Sequence, residues 1–231
     1  MPGGVSLGDL PLMLLCYGYV LSMILASDRL PGVSRKASRK FLHAMIGNLV
    51  FAVPFFSWAL SASLVAVPFV LITFFASPFS PFHGIKARLG RLSDLTEEGH
   101  HLGPTLYSAS YSLLAFLFSS RPHVMAVGVL PMAYGDSFAA LVGEKYGRKR
   151  LANGKSVEGS VAMFLVSLFS VLAGLAFFSS IYNFSPMEKM LPALVTSALV
   201  TAVEAISPRG LDNLGVPLLG SVVFLLLEGW L

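Results

Sequence analysis

The sequence predicts an all-α protein, a polytopic integral membrane bundle of about seven or eight transmembrane helices forming one transmembrane domain over residues 1–231. Three observations lead there. Hydrophobic residues make up 55% of the chain and charged residues 12%, where soluble domains carry roughly 25% charged residues. The mean hydropathy is +0.75. The charges also gather between long apolar runs. A spanning helix needs about 20 mainly apolar residues, so the chain has no room for a separate soluble domain, and chemistry falls to intramembrane and loop residues.

In chain order, hydropathy places spans near 9 to 26, 41 to 58, 60 to 76, 105 to 119, 123 to 143, 158 to 180, 190 to 206 and 213 to 230. The second and third are joined by almost nothing polar, only Ser57 to Ser63, and predict a tight helical hairpin that either arm could make partly re-entrant. Cys16 is the only cysteine and lies in the first apolar run, which excludes disulfides and thiolate metal sites. The N-terminus, MPGGVSLGDL, lacks the basic stretch and cleavage site of a signal peptide. With no transit peptide in view either, a prokaryotic plasma membrane is the expected location.

The sixteen lysines and arginines divide unevenly across this map. Fourteen fall in alternate loops: Arg29 to Lys40, Lys86 to Arg91, Lys145 to Lys155, and Arg209. The other side keeps only Arg121 and Lys189. Basic loops stay cytoplasmic, which puts both termini outside and makes the net charge of +4 a topology signal, with no nucleic-acid partner implied. Every polar cluster lies on the same side: Arg39 to His43, Glu97 to His101, Asp136 to Glu158, and Glu204 to Asn213. A transporter distributes polar groups toward the midplane and both faces. One-sidedness points instead to an enzyme joining a soluble cytoplasmic reactant to a lipid.

Asp136 sits inside an apolar segment, followed by the basic loop Lys145, Arg148, Lys149 and Arg150, then by Lys155, Ser156, Glu158 and Gly159. A carboxylate in hydrocarbon is costly and marks a functional site first; a structural pair with a neighbouring lysine or arginine is the plainer reading. A polyanion with a divalent cation accounts for both signs of charge. The GKS at 154–156 lacks the glycine spacing of a P-loop, yet a lysine, a hydroxyl and a helix N-terminus still attract phosphate. Glu158 is then a Mg²⁺ ligand or a capping carboxylate. Arg39, Lys40 and His43, three and four residues apart, share a helix face and can converge on a site, or snorkel to the interface. The segment Pro81 to Pro104, with Asp94, Glu97, Glu98, His100 and His101, reads as an interfacial amphipathic helix and a polar turn. Glu204 lies within a span, and Asp212 and Asn213 open the last helix, where such residues usually cap. Brought beside Asp136, Glu204 and Asp212 would complete an oxygen-rich pocket suited to Mg²⁺ on phosphates.

Arg39, Lys40 and His43, then GDSFAALVG followed by GKSVEGS, then SPRGLDNLGVPL, together resemble the dolichol kinase and phytol kinase family of CTP-dependent polyprenol kinases, over about residues 36 to 218. The resemblance implies transfer of the γ-phosphoryl group of CTP to the hydroxyl of a membrane isoprenoid alcohol with a divalent cation. It implies a nucleotide site near Asp136, Lys155, Ser156 and Glu158, with Asp212 and Asn213 close by. The same elements are similar to CDP-diacylglycerol synthases, but SPRGLDN stands where that family carries a long basic signature.

The expected function is therefore CTP-dependent phosphorylation of a dolichol-, phytol- or geranylgeraniol-type alcohol at the cytoplasmic face. The expected catalytic residues are Asp136, Lys155, Glu158, His43 and Asp212. Nucleotide contacts are expected from Lys145, Arg148, Lys149, Lys155, Ser156 and Gly159, and alcohol contacts from Arg39, Lys40, His43 and Asn213. Mg²⁺ ligands are expected from Asp136, Glu158, Asp212 and Glu204. His43 and the carboxylates are equal candidates for the base. The rivals are a cytidylyltransferase making a CDP-lipid and a transporter or scaffold without catalysis.

Overall fold

The computed structural model describes residues 7–81, 101–151, 153–208 and 210–230. Among them, the extended pairing is one isolated antiparallel bridge, Arg150 to Ser156, and the rest of the regular structure is helical. Helix α1 (Leu10–Asp28) follows a 3-10 turn and begins with Pro11 in its first turn, where the missing N–H costs nothing. Helix α2 (Arg35–Gly47) is capped by Ser34, whose hydroxyl accepts from the Ala37 N–H at 3.2 Å. It runs on as a 3-10 stretch (Asn48–Phe55) that contains Pro54. Helices α3 (Ala59–Leu64) and α4 (Val67–Ala76) follow, broken between them ahead of Pro68.

Helix α5 (Gly103–Phe118) precedes α6 (Pro122–Leu130), which passes through a π-helical turn (Pro131–Gly135) into α7 (Asp136–Tyr146). The last three are α8 (Val157–Ser179), α9 (Met190–Ile206) and α10 (Asp212–Trp230).

Among the described residues, helix lies at each expected span, and five helices have the length and composition to cross a membrane: Leu7–Ser27, Ala59–Ala76, Pro122–Tyr146, Val157–Ser179 and Asp212–Gly229. Met190–Ile206 is apolar and shorter. The expected second span, 41 to 58, is not one apolar helix. Its first half belongs to the polar-faced α2, and its second half winds as 3-10 helix.

The α6–α7 rod is the axis of the bundle. Of its apolar window 78% is buried, against 22–39% for the other four spans, so its side chains meet protein rather than lipid. Helices α8 and α10 pack along it. The close approach of α10 requires glycine at 128, because a Cβ there would come within 2.2 Å of the Pro217 carbonyl oxygen. Val124, Met125, Leu130, Met132 and Phe224 form a dry centre, and Asp136 enters that centre from one end.

Candidate active site

Asp136 is 8% exposed and begins α7 directly after the π-helical turn. Such a turn inserts one extra residue into the helical ladder, a device that recurs at functional sites. It is secured by Ser137, whose hydroxyl donates to the Ala133 carbonyl at 2.6 Å and to the Lys40 carbonyl at 3.0 Å, tying α7 to α2. Across that joint Lys40 Nζ meets Asp136 Oδ2 at 2.5 Å. His43, one turn along α2, holds its Nε2 3.1 Å from the Met132 carbonyl and 3.8 Å from the same carboxylate oxygen. Its ring packs on Tyr107 with centroids 4.2 Å apart.

A second lysine arrives from the loop between α7 and α8. The chain doubles back through the Arg150 to Ser156 bridge, Gly154 takes φ +86°, and Asn153 fastens the tip to the end of α9 by donating to the Ala205 carbonyl at 2.7 Å. Lys155 Nζ then lies 2.6 Å from Glu204 Oε1 and 3.0 Å from Asp212 Oδ2. Desolvation pulls this ammonium group down, but Glu204 and Asp212 outweigh it and hold it above the ordinary lysine value. Lys155 is therefore cationic throughout the physiological range.

The consequence is a cluster of three buried acids. One oxygen from each of Asp136, Glu204 and Asp212 lies within 4.8 Å of the others, drawn from α7, α9 and α10. Two lysines oppose three carboxylates, and like charges this close are unfavourable without a further cation. The donors are hard oxygens, the class that Mg²⁺ and Ca²⁺ select.

These groups line a polar cavity of about 310 Å³ with Lys36, Glu144, Arg150, Ser156, Gly159 and Ser207 among its walls. Ser156 caps α8 by accepting from the Gly159 N–H. Gly159 leaves no room for a Cβ, which would stand 2.8 Å from the Ala139 carbonyl oxygen, so the N-terminus of α8 packs directly on α7. A second cavity of about 350 Å³ adjoins it, walled by apolar residues of α1, α2, α4 and α5. Arg39, Lys40, His43 and Asn213 form its polar end, and Lys40 belongs to both cavities.

The site differs from the sequence reading in two ways. Glu158 does not join the acids: it is half-buried on the other side of the α8 terminus, with both oxygens 3.4 Å from the Lys149 N–H. Lys145, Arg148 and Lys149 are exposed and line neither cavity; Lys145 lies over the Tyr146 ring, 5.2 Å from its centroid. In their place the polar cavity takes Lys36, Arg150 and Asn153. Lys36 lies one turn before Lys40, a spacing that puts both on one face, so the sequence carried its signal; Asn153, a loop residue, carried none. Residues 82–100, with Asp94, Glu97, Glu98 and His100, and Arg209 lie outside the described residues.

Known proteins resemble this chain in sequence. A phytol kinase of Synechocystis is 36% identical over 140 residues, 58% of each chain. A probable chloroplastic phytol kinase of Triticum aestivum is 31% identical over 212 residues, 85% of this chain and 69% of the relative. The dolichol kinase of Saccharomyces cerevisiae is 24% identical over 205 residues, 85% of this chain and 37% of the relative. The chain thus spans little more than half the length of the Synechocystis protein. It matches no protein-family model and no solved structure. The helical bundle and the extent of the wheat match agree: the chain belongs to the phytol kinase and dolichol kinase family.

Proposed function

We propose that this protein is a CTP-dependent kinase of membrane isoprenoid alcohols of the phytol, geranylgeraniol or dolichol type. In this reading it works at the cytoplasmic face of a prokaryotic plasma membrane, the side to which the basic loops assign the site. The observation that carries the proposal is the junction of the two cavities at Lys40, one polar with three acids, the other apolar. A kinase of this kind needs one chamber for a triphosphate and one for a hydrocarbon chain, meeting where the phosphoryl group passes.

Phosphoryl transfer needs positioning and charge neutralisation more than covalent chemistry. The acceptor hydroxyl sits at the polar end of the apolar cavity, beside Lys40 and His43. The imidazole of His43, or a carboxylate beside it, takes the hydroxyl proton as the oxygen bonds to the γ-phosphorus and the bond to the departing CDP breaks. His43 is held in place by Met132 and Tyr107, and Lys40 pairs with Asp136. Lys155 offsets charge on the phosphates, Lys36 and Arg150 guard the cavity mouth, and the α8 N-terminus contributes its free amides. Asp136, Glu204 and Asp212 are the residues that would hold Mg²⁺, which supplies charge neutralisation at the phosphate oxygens.

The test is purified protein in lipid with geranylgeraniol and CTP radiolabelled at either end of its triphosphate. Label from the γ-phosphate entering the lipid is the predicted result. Label from the α-phosphate would identify a cytidylyltransferase, and no transfer from any nucleoside triphosphate would leave a transporter or scaffold.

A further inference from the structure

Among the described residues the apolar cavity is not closed on all sides, and its opening bears on which alcohols the enzyme distinguishes. Part of its wall is buried: Val20, Leu42, Leu49 and Tyr111 are each below 8% exposure. Two wall residues are exposed. Leu21 on α1 and Ile72 on α4 line the cavity and are also 58% and 36% exposed on the outer surface. Helix α1 packs chiefly on α2, and α4 on α5, which leaves a seam between α1 and α4. Toward one end that seam is sealed by Tyr17, whose hydroxyl donates to the Leu64 carbonyl at 3.0 Å and whose ring lies 6.1 Å from that of Phe69. Leu21, one turn on from Tyr17, and Ile72, one turn on from Phe69, lie past this seal and line the cavity.

The hydroxyls on this wall are bonded within the protein. Thr73 donates back to the Phe69 carbonyl at 2.6 Å and pairs with Thr105 at 3.0 Å, and Ser108 donates to the Pro104 carbonyl at 3.0 Å. The passage is therefore hydrocarbon from the Lys40 and His43 end to the outside, where bilayer lipid lies. A cavity of about 350 Å³ is at the small end of ligand sites, roughly 300–1,000 Å³. It has room for the hydroxyl end and first few isoprene units of an alcohol, and none for a long polyprenol.

We infer that the seam between α1 and α4, flanked by Leu21 and Ile72, is a lateral portal through which the isoprenoid chain passes into the bilayer, so that the enzyme reads only the hydroxyl-proximal isoprene units and is indifferent to total chain length. This rests on the proposed kinase reading. A chain lying in lipid keeps much the same environment bound and free, so its added units contribute little to affinity.

Two measurements decide it. In nanodiscs, kcat/KM for geranylgeraniol and undecaprenol should agree within about threefold. Ile72→Trp, which fills the portal, should lower undecaprenol turnover at least tenfold more than turnover of geraniol, which is two units long. Equal losses for both alcohols, no loss for either, or strong length discrimination by the wild type would overturn the portal while leaving the kinase standing. No phosphorylation of any prenol would overturn the kinase reading and the portal with it. Independently of turnover, a geranylgeraniol carrying a diazirine on its third unit should crosslink to residues 10–28 and 67–76 and be competed by unlabelled alcohol. Crosslinks to α8 or α9 instead, or crosslinks here that alcohol does not compete, would place the chain elsewhere.

Discussion

Two ionic clusters sit along the α6–α7 rod, one just past its middle and one at its start, and they differ in composition and in room. Past the middle, Asp136, Glu204 and Asp212 face Lys40 and Lys155 beside a cavity of about 310 Å³. Thirteen residues away along the rod, about 20 Å at 1.5 Å per residue, His123 lies 3.2 Å and Lys189 3.3 Å from one oxygen of Glu228. That second group lines neither cavity, stacks against Phe184 with ring centroids 5.0 Å apart, and gives its single acid two basic partners. It joins α6, α9 and α10. In the first, acids from three helices bring one oxygen each within 4.8 Å of the others beside a chamber that Lys36 and Arg150 also line. A buried salt bridge by itself is weak evidence of function; acids gathered at a chamber are stronger.

Substitutions can break this contrast or sharpen it. The largest effect is expected from Asp136→Asn, which keeps the shape and removes the charge: phosphoryl transfer should fall ~10³-fold or more, the scale of losing a transition-state charge contact in such enzymes, with the protein still folded and inserted. Lys155→Ala should lower kcat by about 10²–10³-fold, and activity within threefold of wild type would remove it from the site. Glu228→Ala should do the reverse. It should lower stability by leaving the half-buried Lys189 and His123 without their shared partner, seen as a lowered melting temperature, while kcat in the folded fraction stays within about twofold. The smallest effect belongs to Glu158→Gln, where activity should change less than about threefold because the side chain bonds the exposed Lys149 amide and lines neither cavity. A total loss there would restore it to the metal set.

The sequence exposed the first cluster more readily than its membership. Asp136 and Glu204 interrupt apolar runs and Asp212 opens a helix; hydrocarbon tolerates such acids only where other groups meet them, so a shared pocket could be expected, though Glu158 was expected in it as well. Glu158 was misplaced for a reason of helical phase. Ser156 and Gly159 face the cavity, while Glu158, two residues and about 200° around from Ser156, points to the Lys149 amide. Lys145, Arg148 and Lys149 share the sign a triphosphate needs, but α7 ends at Tyr146 and the loop carries them outside the chamber; composition alone cannot tell a cation that folds inward from one left in solvent. The spans fared similarly. Apolar runs located the helices, but the change of α2 into 3-10 helix and the π-helical turn before Asp136 depend on packing against the rod.

The central claim is that Asp136, Glu204 and Asp212 together hold a divalent cation at the triphosphate. Electron paramagnetic resonance of Mn²⁺ titrated into the purified protein with CTP tests it without relying on turnover. The account predicts one bound ion per chain in the wild type and in Glu228→Ala, and loss of that signal in Asp136→Asn, Glu204→Gln and Asp212→Asn. Undiminished Mn²⁺ binding in the three acid variants would contradict it.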